Sequence, residues 1–466
     1  MVRHRTAAST GWSVGRVAQV LCFGGALVVW NIAVVLPAGE AAAQAARAVT
    51  LEEALDLASQ HSPVLRASRQ ELHSAEAQQE IAKAAYLPKL DAIEAWTNTN
   101  NPAQSFAIQL NQGRFTQAGF DINTLNRPGS IENYRSALNL VQPIYNGGRE
   151  QLGVKIAELG HQASTEGYEH ARQRVFFTVT RGYYDLALAK AVRKVATDAV
   201  QIAEANARQI AARYKSGATV KSDLLQADVR LAGLREESIR AEQMLHITAV
   251  ALQHAIGLNE AVDTADSLSQ GTVADQRLEA VIARALDTRP DYRMMAAELR
   301  KAQMTTKLSK SSYLPNLNLQ GSFENNSTFP LGPNGQSNYG AFGMFSVNLF
   351  NGLSDAAHVR KARAQEEKAR EQLEAKRREI EVEVVEAYYG VAAAKERIAV
   401  SESAVAQAEE NLRIIGNRYQ SGIAPVLDLL TAELVLNQAK QNRLRSFYDL
   451  KVGQARLALV SGEGRS

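Results

Sequence analysis

Proline placement constrains this chain more than any other feature. No proline occurs from 144 to 289 or from 334 to 424, although the chain has 11 of them. Stretches that long, rich in Ala, Glu, Gln, Arg and Lys, predict helices far longer than those of an ordinary domain. The two stretches are also copies. Tyr86-Leu87-Pro88 matches Tyr313-Leu314-Pro315 at an offset of 227, which also pairs Leu51 with Leu278 and Pro63 with Pro290. Further on the offset is 205, pairing Asn146-Gly147 with Asn351-Gly352, Tyr183-Tyr184 with Tyr388-Tyr389, Gly217 with Gly422 and Gly257 with Gly462. The first copy therefore carries 22 extra residues between Pro88 and Asn146. Internal duplication on this scale implies two versions of one supersecondary unit.

Each unit has a very long helix, Gly148–Ala212 or Leu353–Asn417, roughly 98 Å at about 1.5 Å per residue. Leu188, Val192, Val195, Ala199 and Ile202 have the four-and-three spacing of a coiled-coil seam, interrupted at Asn206. The long helices end in "RYKSGATVKSDLL" (Arg213–Leu225) and "RYQSGIAPVLDLL" (Arg418–Leu430). Gly217 and Gly422 suit the left-handed conformation of a helix end. The chain then returns as a second helix, Val220 to about Ala255 and Val426 to about Leu459, so each copy of the segment is the turn of a helical hairpin.

Ahead of each long helix the period changes to two. In "LPNLNLQGSF", Leu317, Leu319, Gly321 and Phe323 share one face and Asn316, Asn318, Gln320 and Ser322 the other. "YGAFGMFSVNLF" places Tyr339, Ala341, Phe345, Val347 and Leu349 together. "LPKLDAIEAW" and "SALNLVQPIY" hold the same places in the first unit, less regularly. These are strands of about ten residues, the length that crosses a membrane as part of a barrel. The stretches between the paired strands read as polar loops, the extra residues lying in the first. Phe323 and Trp96 are candidates for an aromatic girdle. Glu94 falls on the same face as Gly321, which calls for a bulge or a place near the headgroups. Four strands cannot close a barrel alone. Two chains would supply eight strands, which side chains plug, and three would supply twelve, which leave a lumen, so a homotrimer is favoured.

The domain layout follows. Residues 1–43 read as a signal peptide, 44–257 as the first repeat (strand hairpin about 88–145, helical hairpin about 148–257) and 258–277 as a linker. The second repeat is 278–466 (strand hairpin about 315–350, helical hairpin about 353–462). Arg3, Arg5 and Arg16 precede the apolar run Val17–Leu36, and Ala41-Ala42-Ala43 fits a peptidase site. The run could also span a bilayer as an uncleaved anchor. Its Cys22 is the only cysteine, so disulfides and thiolate metal sites are excluded from the remainder. A net charge of +3 without basic-aromatic runs argues against nucleic acid. No H-E-x-x-H, phosphate-binding loop, G-x-S-x-G or dinucleotide fingerprint is present, so neither enzymatic activity nor a cofactor is expected.

In order and duplication these pieces resemble the outer-membrane efflux proteins, the TolC-like family. The resemblance rests on "LEEALDLASQHSPVLRASRQEL" (Leu51–Leu72), the two "YLP" strand starts, "VQPIYNGG", "VNLFNG", the paired "YY" and the twin "RY.SG…DLL" turns. It implies a mainly α fold with a β-barrel part, in which duplicated helical hairpins form a trimeric periplasmic α-barrel. Four strands per chain would contribute to a 12-stranded transmembrane β-barrel in outer-membrane lipid. It also implies a periplasmic adaptor and an inner-membrane transporter as partners, and the role of exit duct for efflux or type I secretion. A periplasmic coiled-coil spacer or adaptor is the alternative from the helices alone.

Carried over by position, the resemblance makes Asp223 and Tyr419 a hydrogen-bonded pair that holds the periplasmic mouth shut. It makes Asp428 the source of a ring of three carboxylates. The turns, with Arg213, Tyr214, Ser216, Gly217, Arg418, Ser421 and Gly422, would meet the adaptor. A carboxylate at Asp223 or Asp428 also favours the start of a returning helix, so capping stands beside gating. Ala424 stands where the family has an arginine in the closing network, and Thr431 where it has a second aspartate. The latch is therefore expected to be weaker or differently built, without a second acidic ring.

Overall fold

The computed structural model describes residues 47–266, 268, 276–332 and 335–464. The leader at 1–43 lies outside them. Among the described residues no helix is long and apolar enough to cross a membrane.

Chain order is β1 (Arg47–Val49), α1 (Leu51–His61), α2 (Pro63–Ala84), β2 (Lys89–Thr99), α3 (Pro102–Asn111), α4 (Ile122–Asn126) and β3 (Ile131–Asn146). The first helical hairpin follows, α5 (Arg149–Lys215) and α6 (Lys221–Ile256). After β4 (Val262–Thr264) the order repeats as α7 (Leu278–Thr288), α8 (Pro290–Lys310), β5 (Asn316–Ser327), β6 (Gln336–Ser346), α9 (Ser354–Gln420) and α10 (Val426–Val460). Helices α5 and α9 have 67 residues each, about 100 Å, so the long helices expected from the proline gaps are present.

The seam within the first hairpin differs from the one expected. Of the five residues read as its apolar row only Ala199 is buried, and Ile202 is 50% exposed. The buried row is Leu186, Ala189, Ala196, Ala199, Ala203, Ala207 and Ile210. Alanines let two helices approach closely, which turns the larger Val and Ile side chains to the outer flanks. In α9 and α10, Val405 and Ala408 meet Leu436 and Ala439 in the same manner.

A second core lies midway along α5, at the far end of α6. Val179, Tyr183 and Leu186 of α5 and Leu252 and Ile256 of α6 enclose Ala54, Leu55 and Ala58 of α1 with Val49 and Val262. The latter two belong to β1 and β4, a parallel pair that joins the start of the chain to the stretch between the repeats. Tyr183 Oη donates to the Val49 carbonyl (3.1 Å) and lies 2.7 Å from the Asp266 carboxylate. Burial, and then the Asp266 bond, push this phenol well above its ordinary range. Its repeat copy Tyr388 donates to the Gln276 carbonyl (3.0 Å). In the second repeat an ion cluster ties the start of α8 to α9. Arg289 makes two bonds to Asp291 (3.0 and 2.7 Å) and one to Glu383 (2.6 Å), while Lys376 lies 3.1 Å from Asp291. Burial pushes the Asp291 carboxyl up, but Arg289 and Lys376 outweigh it and hold it well below the usual carboxylate range.

The strands form one antiparallel sheet in the order β2-β3-β5-β6. Leu90, Trp96, Leu138, Leu140, Leu317, Leu319, Phe323, Tyr339 and Phe345 are exposed, and the strand register places them all on one face. The opposite face carries the Asn133–Asn326 bond (2.8 Å) and the Arg135–Glu324 ion pair (3.3 Å). Strand β6 ends at Ser346, so Val347 and Leu349 lie past it. Glu94 stays on the apolar face without a bulge and accepts from Ser136 Oγ (2.5 Å). In register it is level with Asn325 and Ser337, near the loop end of the sheet.

The insertion is more ordered than a polar loop. Asn101 Oδ1 accepts from the Gln104 amide (3.1 Å) and Pro102 opens α3, so the sequence contains a helix start. Phe106, Phe115 and Phe120 stack edge-to-face, with centroids 4.9 and 5.0 Å apart.

Candidate functional site: the joint between the hairpin tips

Both turns are built alike. Gly217 (φ 73) and Gly422 (φ 77) take the left-handed conformation, and a Cβ at either would meet no atom within 4 Å. Only the backbone demands glycine there. Ser216 Oγ donates to the Arg213 carbonyl (3.0 Å) and Ser421 Oγ to the Asn417 carbonyl (3.0 Å), each satisfying a helix-end acceptor. Ser216, Gly217, Ser421, Gly422, Tyr214 and Arg418 are exposed at the tip.

The two tips are joined within the chain. Arg213, at the end of α5, donates from Nη1 to the Tyr419 carbonyl (3.1 Å) and from Nη2 to the Gln420 carbonyl (3.1 Å). Its guanidinium lies 4.7 Å from the centroid of the Tyr419 ring, a cation–π stack. That ring is 5% exposed and packs with Ala207, Ile210, Ala227, Ala424, Val426 and Leu429. Arg213 is therefore occupied inside the chain rather than presented to a partner. No sequence rule assigns it this role, although its duplication in Arg418 marks the position.

The expected bond between Asp223 and Tyr419 is not formed within the chain. Asp223 instead accepts from Thr219 Oγ1 (2.5 Å), and Tyr419 Oη is buried with no hydrogen-bond partner. That bond caps no backbone amide; Asp223 lies in the first turn of α6, where a carboxylate favours the helix dipole. Ala424 helps bury the tyrosine ring, so the position of the family's arginine is used for packing. Asp428, at the start of α10, is exposed and has no side-chain hydrogen bond or ion pair among the described residues. Thr431 Oγ1 turns back to the Leu427 carbonyl (2.7 Å) of its own helix.

Farther along the joint Asn206 Nδ2 on α5 donates to Glu433 Oε1 on α10. Glu433 is buried, and burial pushes its carboxyl up against the opposing pull of Arg230 on α6 and the Asn206 bond. A buried carboxylate on the seam side of a helix start was not singled out from sequence, where it reads as one more glutamate on a charged helix.

The profile of a family described as "outer membrane efflux protein" matches residues 54–258 and 281–463. A curated relative, protein CyaE of Bordetella pertussis, is 25% identical over 429 residues, covering 90% of this chain and 85% of that protein. The crystal structure of the Campylobacter jejuni CmeC outer membrane channel superposes with a TM-score of 0.78 at 18% identity, over 89% of this chain and 86% of that one. The Vibrio cholerae outer membrane protein VceC gives 0.74 at 20% identity, over 88% and 96%.

Proposed function

This chain belongs to the outer membrane efflux protein family, and from that premise we propose that three copies assemble into a single duct. The chain is an outer-membrane channel with a long periplasmic helical part, the exit duct of a tripartite efflux or type I secretion system. Family and fold are those of channels rather than enzymes. A free-standing periplasmic spacer is set aside by that membership.

One observation carries the trimer. The sheet has four strands, an apolar face turned outward, and edges at β2 and β6 that pair with nothing among the described residues. Open edges and an exposed apolar face both call for partners. Joining β6 of one copy to β2 of the next three times gives a barrel of twelve strands, large enough for a lumen, with lipid around its apolar belt. The hairpin turns then ring the periplasmic mouth, where the exposed Ser216, Gly217, Ser421 and Gly422 would meet the adaptor. An inner-membrane transporter supplies the energy. Asp428 from each copy projects towards the axis and favours cations. The intrachain closing contact is Arg213 on Tyr419 in place of a bond between Asp223 and Tyr419. Mass measurement of detergent-extracted protein should give three chains, and a stable monomer or dimer from native membranes would refute the barrel.

A further inference from the structure

The joint at the hairpin tips is covered on one flank only, and the duplication shows what the other flank lacks. Each residue of the intrachain joint has a repeat copy at the 205-residue offset. Tyr419 is 5% exposed, whereas its copy Tyr214 is 39% exposed. Leu430 is 8% exposed and its copy Leu225 53%. Glu433 is buried and Asp228, its acidic counterpart, is exposed. The donors show the same asymmetry. Arg213 and Asn206 are half-buried and engaged, while Arg418 and Asn411 are exposed. Their side chains, and those of Asp228 and Tyr214, make no hydrogen bond or ion pair among the described residues.

The free donors lie on the second hairpin and the free acceptors on the first. We propose that a neighbouring copy of this chain completes the same joint. Arg418 of one protomer clamps the carbonyl and ring of Tyr214 in the next, and Asn411 donates to Asp228 of that same neighbour. The carbonyl of Tyr214 accepts from the Gly217 amide (3.0 Å), as that of Tyr419 accepts from the Gly422 amide (3.0 Å). In the intrachain joint the carbonyl takes the guanidinium as a second donor, so its copy can do likewise. Head-to-tail use of one contact generates a ring when the rotation closes, which the threefold barrel supplies. In the trimer this gives alternating internal and intermolecular joints of one design, which accounts for the retention of "RY.SG" in both copies.

The inference rests on the trimeric reading, and its test separates the two. Cys22 is the only cysteine and lies in the leader, so introduced cysteines report alone. Trimeric full-length protein carrying Tyr214→Cys with Arg418→Cys, treated with a short bismaleimide, should run as covalent dimers and trimers on a denaturing gel. The control pair Arg213→Cys with Tyr419→Cys should cross-link within one chain and gain no mass. Loss of trimeric mass in the untreated wild-type protein would overturn the trimeric reading and the inference with it. A trimer whose 214/418 pair stays monomeric, while the control pair reacts, would overturn the inference alone. In planar bilayers Arg418→Ala should raise the open fraction about tenfold, the change expected from losing a charged bond of modest net strength. Arg418→Lys should keep most of the closure. Equal conductance in all three proteins would also refute the clamp.

Discussion

The Tyr419 hydroxyl offers a test with a counter-intuitive sign. It is buried, has no hydrogen-bond partner, and belongs to a ring packed against the first hairpin. An unmet buried hydroxyl costs about 1–3 kcal/mol relative to one in water. Tyr419→Phe removes that cost and keeps both the ring and its stack with Arg213. On the reading that this joint holds the mouth closed, the open fraction should fall, between about fivefold and about a hundredfold. Tyr419→Ala should do the opposite. It deletes an aromatic side chain from the cluster with Ile210, Val426 and Leu429, a loss of about 3–5 kcal/mol for a core position. It also removes the surface on which the guanidinium rests, about 0.5–1 kcal/mol more. The assay is single-channel recording of both variants in planar bilayers under one voltage and salt condition. If Tyr419→Phe opens the channel as Tyr419→Ala does, the hydroxyl carries a bond in the assembly and the argument from its isolation fails.

Other predictions follow from neighbouring groups. Glu433 faces Arg230 and Asn206, and burial raises its carboxyl, so the closed joint binds a proton to higher pH than the parted one. Its contribution is greatest below the ordinary carboxylate range, near pH 4.5, and declines as pH rises through the raised value. The open fraction should therefore fall on acidification, and Glu433→Gln should show the acid-like value at neutral pH with a flatter profile; an unchanged profile would remove Glu433 from the joint. Asp428→Ala should leave trimer mass unchanged while lowering cation preference and block by multivalent cations, measured as reversal potential and residual current. An epitope inserted beside Ile122, exposed on α4, should bind antibody on intact cells. Gln112, in the same insertion, would be unsuitable because its side chain is buried and bonded to Glu132, Asn133 and Ser327 (2.8, 3.0 and 3.3 Å).

Sequence alone determined the features that depend on local chemistry or on counting. Proline gaps set the long helices, glycines set the turns, period-two alternation set the strands, and the offset between copies revealed the duplication. These are legible because a backbone conformation is chosen over a few residues. The tertiary structure decided which surfaces meet. Helix spacing selected alanines for the seam over the larger apolar row that contains Ile202. Long-range contacts buried Gln112 and brought β1 to β4. The clearest case is the twin turn. Arg-Tyr-x-Ser-Gly is written at both 213 and 418, yet Tyr419 is buried against the first hairpin while Tyr214 stays 39% exposed. No local rule separates two segments this alike. Their difference arises because two hairpins packed side by side have one shared flank and two free ones.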